Sequence, residues 1–185
     1  MARVMARSGY DGASVAAVAA EAGVATGGVH YHFGSKHEIL IDLIERLVAT
    51  AEARVESRAS RADTPRAQLL AILDGLLVRG ADARPDAVAT WALIGAEAVR
   101  NPEVREAYEA WLESARDRLR RTFVAACHDE GRSAAGASRA AAALVALVEG
   151  YYAVAAGAPG VVPSGSAGPA ARQIAIALLD AQEKR

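Results

Sequence analysis

Residues 26–36, Thr-Gly-Gly-Val-His-Tyr-His-Phe-Gly-Ser-Lys, gather two hydroxyls, a phenol, two imidazoles and an ammonium among three glycines. Such groups on one short helix can donate to base edges and phosphate oxygens, and the glycines let the backbone come close to a duplex. Val29 and Phe33 fall on the opposite side and supply an apolar underside. The elements that must hold this helix are legible on either side. Val15, Val18, Ala19 and Ala22 share a helical face, Gly23-Val24 supply a turn, and Ser35 with Glu38 has capping-box spacing. In that box the Ser35 hydroxyl accepts from the Glu38 amide, and the Glu38 carboxylate reaches back to the Ser35 amide. Helix, glycine turn and short polar-tipped helix make a helix-turn-helix that reads DNA.

Gly9-Tyr10, Ser14-Val15, Ala19, Ala22-Gly23-Val24, Gly27 to Phe33 and Ser35-Lys36 together resemble the signature of TetR-type bacterial transcriptional regulators. The resemblance covers about residues 6–40. It implies that Ser14, Tyr31 and Lys36 contact phosphate, and it leaves Thr26, Gly27, Gly28, His30 and His32 at the duplex face. The family usually carries a serine where this chain has Ala25, and often a tyrosine where it has His30. Thr26, Tyr31 and His32 are therefore expected to carry much of the contact, with modest base discrimination. A second stretch, Trp91 to Leu119, resembles the ligand domains around the choline-responsive BetI regulators. The first helix is expected over residues 2–8, and the resemblance implies two or three more turns upstream. A helix this short is expected to leave Val15, Val18 and Phe33 partly unshielded.

Formal net charge is −1, and residues 1–36 carry Arg3, Arg7 and Lys36 against Asp11 and Glu21. That excludes a generally basic nucleic-acid binder and predicts a weak salt-dependent footprint. Cys127 is the single cysteine, so no internal disulfide forms, and it reads as a small buried hydrophobe. His30 and His32 diverge by roughly 200° on a helix, so they do not share a metal, and no cofactor is expected. Ser164-Gly165-Ser166-Ala167-Gly168 lacks the first glycine of a nucleophile elbow, and no phosphate loop or dinucleotide fingerprint occurs. The chain is not expected to be an enzyme. The longest apolar run, Ala140 to Val148, stops at Glu149. A bilayer needs roughly 20 such residues, so a cytoplasmic protein is expected.

No strand pattern appears, and the periodicities give an all-α chain of about nine helices. Residues 1–57 are expected to form the helix-turn-helix domain with a linking fourth helix, and residues 64–185 a ligand-binding and dimerisation domain. The fifth helix is expected from Thr64-Pro65 to about Gly80, the sixth from Pro85, and the seventh from Asn101-Pro102 to Gly131. The eighth covers about 138–156, the ninth about 170–183, with a glycine- and proline-rich loop between them.

Trp91, Tyr108, Trp111, Tyr151 and Tyr152, with Glu97, Glu149 and His128 as polar candidates, are expected to line a pocket for an apolar or amphipathic effector. Gly95 and Gly150 leave room there for a ligand or for a close helix crossing. Leu147 and Val154 on the eighth helix, with Ile174, Ile176, Leu178 and Leu179 on the ninth, give these helices a second apolar face. That pattern predicts a twofold four-helix bundle between subunits. The fourth helix, as the chain connection, is expected to carry pocket movement to the DNA head. Two functional classes follow. One is a ligand-released repressor on operator DNA; the other is a dimeric helical small-molecule binder with a degenerate DNA-reading head.

Overall fold

The structure is a computed structural model that describes residues 1–77, 85–163 and 165–185. Among these it has nine helices: α1 Ala2–Gly12, α2 Val15–Ala22, α3 Thr26–His32, α4 Lys36–Ala59, α5 Pro65–Leu76, α6 Pro85–Ala98, α7 Pro102–Asp129, α8 Ala137–Gly157 and α9 Ala167–Asp180. The starts follow from side-chain caps: Ser14, Ser35, Thr64 and Asn101 each accept from the amide three residues on. Pro65 and Pro102 sit in the first turn, where a missing N–H costs nothing. Gly23 closes α2 in the left-handed region at φ 69° and returns its amide to the helix.

Several boundaries differ from the sequence reading. α1 does not end at Gly9 but kinks there, at φ 68°, and makes a further turn to Gly12. α5 ends at Leu76, and the rest of the stretch to Gly80 lies outside the described residues. α9 begins and ends about three residues early, because Ser166 and not Ala170 precedes its first turn. The Glu38 carboxylate accepts from the amide of Gly34 at 2.9 Å, not from Ser35, so the box closes one residue further back.

One core runs through the chain, from Met5, Leu40 and Ile44 in the head to Leu73, Ile94, Leu119, Phe123 and Leu144 in the body. α4 belongs to both parts: Ile39, Leu40 and Ile44 are buried in its first half and Val55 in its second. Gly75 allows α5 to lie directly on it, since a Cβ there would stand 2.6 Å from the Val55 Cα. Arg54 then donates to the Gly75 carbonyl at 2.6 Å, fastening the crossing. At the far end Arg66 of α5 forks onto Glu130 at 2.6 and 2.9 Å and reaches Asp180. α8 is long and apolar enough to cross a membrane by length and composition alone. Its Leu144, Val148 and Tyr152 are instead buried against the chain, and Glu149 makes polar contacts mid-helix.

Candidate nucleic-acid interface and effector site

α2 and α3 present the head's polar edge. Thr26, Gly27, Gly28, His30, Tyr31 and His32 are all exposed, while Val29 is buried and Phe33 half-buried beneath them. Tyr31 is the most prominent, 86% exposed, with its ring edge-on to His32 at 5.1 Å. A Cβ on Gly27 or Gly28 would meet nothing within 4 Å, so these glycines leave a smooth surface for close approach. Ser14 is exposed, and its oxygen caps α2 by accepting from Ala17, which leaves the hydroxyl proton free to donate outward. Of the residues expected to be unshielded, Val15 and Phe33 are half-buried, but Val18 is covered at 7% exposure.

The basic groups of the head are spoken for. Arg3 and Arg7 both pair with Glu21 of α2. Lys36, expected to grip phosphate, is half-buried; it donates to the Tyr10 carbonyl at 3.1 Å and lies 4.1 Å over the Tyr10 ring. These contacts have a plain cause: Tyr10 sits on the extra turn of α1 beyond Gly9, within reach of the first turn of α4. Lys36 thus braces α4 against α1.

In the body, four of the expected aromatics come together. Trp91 of α6 packs against Tyr108 at 5.6 Å, Trp111 at 6.3 Å and Tyr152 at 6.4 Å between ring centroids. Tyr108 lies across α6 because Gly95 has no side chain: a Cβ there would be 3.1 Å from its hydroxyl oxygen. At the centre stands Glu149 of α8, whose carboxylate accepts from Trp91 Nε1 at 3.0 Å and from the Tyr108 hydroxyl at 2.5 Å. Burial pushes the Glu149 carboxyl above its usual value, and these two donors pull only part of the way back. Burial and then the neighbouring carboxylate likewise raise the Tyr108 phenol. No cation among the described residues pairs with Glu149.

Other expected pocket residues lie elsewhere. Tyr151 is half-buried and makes no ring contact with the cluster, because one residue along a helix is a rotation of about 100°. Glu97 is buried at the end of α6, pairs with Arg100 at 3.8 Å, and faces the head. There its charge adds to burial in raising the Tyr10 hydroxyl. His128 is exposed near the end of α7. Sequence reasoning placed Glu149 only among several polar candidates; its spacing of three from Tyr152 was the signal that set it on the cluster's face.

On the outer side of α8 and α9, Val154 and Ile174 are exposed at 38% and 40%. Leu147, Ile176 and Leu178 are half-buried. Leu179 is wholly buried within its own chain and offers no surface to a partner. α9 is turned so that Ala171, Ala175 and Leu179 form its inner stripe.

The head and body touch at more than the α4 connection. α1 packs along α6, with the Thr90 hydroxyl 3.1 Å from the Ala2 carbonyl. His37, in the first turn of α4, meets Glu103 at 2.5 Å and Asn101 at 3.2 Å, both at the start of α7. The helices that carry Trp91 and Tyr108 therefore hold the head directly, and α4 is not the sole path.

Comparison with known proteins bears on both parts. Residues 2–43 match the family model described as bacterial regulatory proteins, tetR family. Residues 65–182 match that described as the BetI-type transcriptional repressor, C-terminal. The chain is 27% identical over 150 residues to the HTH-type transcriptional regulator BetI of Agrobacterium fabrum, covering 81% of this chain and 70% of that one. It is 29% identical over 176 residues to BetI 2 of Chromohalobacter salexigens, covering 93% and 79%. Among solved structures, a transcriptional regulator from Rhodococcus superposes with TM-score 0.83 at 29% identity, covering 98% and 92%. A putative regulator from Saccharomonospora viridis in complex with choline shares the fold, with TM-score 0.75 at 23% identity over 99% and 94%. These relatives are regulators and not enzymes. The chain belongs to the TetR family of bacterial transcriptional regulators, with a body of the BetI repressor type.

Proposed function

We propose that this chain is a cytoplasmic homodimeric repressor that leaves an inverted-repeat operator when a small organic cation binds against Glu149. The observation that carries the cation is the half-buried Glu149, its carboxylate held by two neutral donors among four aromatic rings with no counter-charge among the described residues. A buried anion of this kind favours a cationic partner, and ring faces reward a quaternary ammonium that no hydrogen bond would. The choline complex of the Saccharomonospora fold relative is in keeping with that chemistry. The rings pack on one another, so an entering cation parts α6 from α7. Those helices hold α1 and α4 through Thr90 and His37, and the two recognition helices lose their spacing of about 34–36 Å.

Val154, Ile174, Leu147, Ile176 and Leu178 support the subunit contact, since exposed apolar stripes on two adjacent helices call for a cover. Thr26, Tyr31 and His32 are the proposed base and phosphate contacts, with Ser14 donating to phosphate. A specific observation favours a second reading: all three basic side chains of residues 1–36 are engaged within the head, and α3 opens on two glycines. On that reading the DNA-reading head is degenerate and the protein is a dimeric binder only.

Footprinting the promoter beside its own gene, at several salt concentrations, separates the two. The repressor reading expects protection of an inverted repeat with a shallow salt slope. Thr26→Ala should change sequence preference. Lys36→Ala should weaken all sequences alike, lowering the slope by at most about one unit. Absence of protection at any salt concentration would establish the degenerate head.

A further inference from the structure

We propose that the cation reaches Glu149 through a cleft between α4, α5 and α7, and that the Glu56–Arg118 ion pair is the latch on that route. This rests on the cation-site reading above and adds the path and its gate. The cleft encloses about 530 Å³, inside the roughly 300–1,000 Å³ of small-molecule sites. Glu52 and Glu56 of α4 form one wall, Ser114 and Arg118 of α7 the other, and Trp111 and Leu76 lie at its base.

Both base residues touch the aromatic cluster from below. The Trp111 ring stands edge-on to Trp91 at 6.3 Å, and the Leu76 carbonyl accepts from the Tyr152 hydroxyl at 2.9 Å. The cleft therefore reaches one ring of the cluster directly, and the Trp111 side chain is the single layer between it and Trp91. Across the cleft, Arg118 donates to Glu56 at 2.5 Å. The same pair lines a second hollow of about 270 Å³ on its far side, so it bars one trough running between α4 and α7. The two side chains are 35% and 64% exposed, which makes the bar cheap to break. Opening it draws α7 from α4, the helix whose first turn carries Lys36 and His37. The pair closes again behind the seated ligand, so it sets the rate of passage and not the affinity.

A residue on the path changes association and dissociation by the same factor and leaves the equilibrium alone. Stopped-flow tryptophan fluorescence with choline as the probe measures both rates. Glu56→Gln should raise both about two- to five-fold, the range an exposed ion pair can supply, with unchanged Kd. Ser114→Phe, an exposed position that fills the cleft on the side of Trp111 away from Glu149, should lower both at least about tenfold, again with unchanged Kd. Wild-type rates in Ser114→Phe would overturn the route while leaving the cation site standing. An absence of saturable choline binding in the wild type would overturn the site, and the route with it. A ligand-free check uses Trp91→Phe, where Trp111 alone emits. Adding Ser114→Phe should at least halve acrylamide quenching of Trp111, and an unchanged quenching slope would show that the cleft does not reach it.

Discussion

Replacing Glu149 by glutamine is expected to abolish the response to a cationic effector and, at the same time, to stabilise the protein without it. Glutamine keeps an oxygen to accept from Trp91 Nε1 and the Tyr108 hydroxyl but removes the buried charge. Removing one member of a buried charge pair costs roughly 2–5 kcal/mol, so choline affinity should fall by about 30-fold or more. The sign of the stability change follows from the direction of the Glu149 shift. Its carboxyl titrates higher in the folded chain than in the unfolded one, because burial opposes the charge. The stability it contributes is fully present below the unfolded carboxylate value and is lost as pH rises through the higher folded one. At neutral pH the buried carboxylate is therefore a cost, and the glutamine variant escapes it. Thermal unfolding from pH 4 to 8 should show a wild-type Tm that declines with pH relative to Glu149→Gln. Choline affinity of the wild type should rise over the same interval, as the carboxylate forms. A variant less stable than wild type at pH 8, with choline binding intact, would remove Glu149 from the site.

Leu147→Glu is expected to convert the dimer to a monomer and, through that, to lose operator binding. Leu147 lies on the outer face of α8 beside Val154, half-buried in the single chain. In a twofold contact the substitution enters twice, and each desolvated carboxylate costs several kcal/mol. Dimer affinity should fall by on the order of 10³-fold or more. Val154→Glu, at a more exposed position, should do the same with less risk to the core of the subunit. Sedimentation velocity reads the outcome, with far-UV circular dichroism to show that the helices persist. A folded Leu147→Glu protein that sediments as a dimer would move the interface away from α8.

The head was legible in the sequence because its signals are local. Ser14 and Ser35 announce its helix starts through bonds that span three residues, as Thr64 and Asn101 do in the body, and Gly23 announces the turn through its own backbone. The gathering of Trp91, Tyr108, Trp111 and Tyr152 was legible as well, since amphipathic aromatics on successive core helices have one interior to share. Helix rotation was not. Tyr151 and Tyr152 have similar side chains about 100° apart, and only packing decides which faces in. The same ambiguity put Leu179 on the subunit face when α9 turns it inward. Glu97 was misplaced because only packing turns the end of α6 toward Tyr10, and the bracing of Lys36 was not legible because its partner is distant in sequence. The Tyr10 carbonyl that holds Lys36 is 26 residues away, on a turn of α1 that Gly9 kinks but does not end.

Coupling between Glu149 and the operator is the central claim, and it is reciprocal: a ligand that weakens DNA binding must itself be weakened by DNA in the same ratio. The direct measurement is the choline Kd of the full-length dimer at pH 8, with and without saturating operator at fixed salt. The contacts from α6 to α1 and from α7 to α4 predict weaker choline binding on the operator, by about 5- to 150-fold, the range of typical coupling energies. Equal values in the two states would mean that the cation bound at Glu149 does not report to the head.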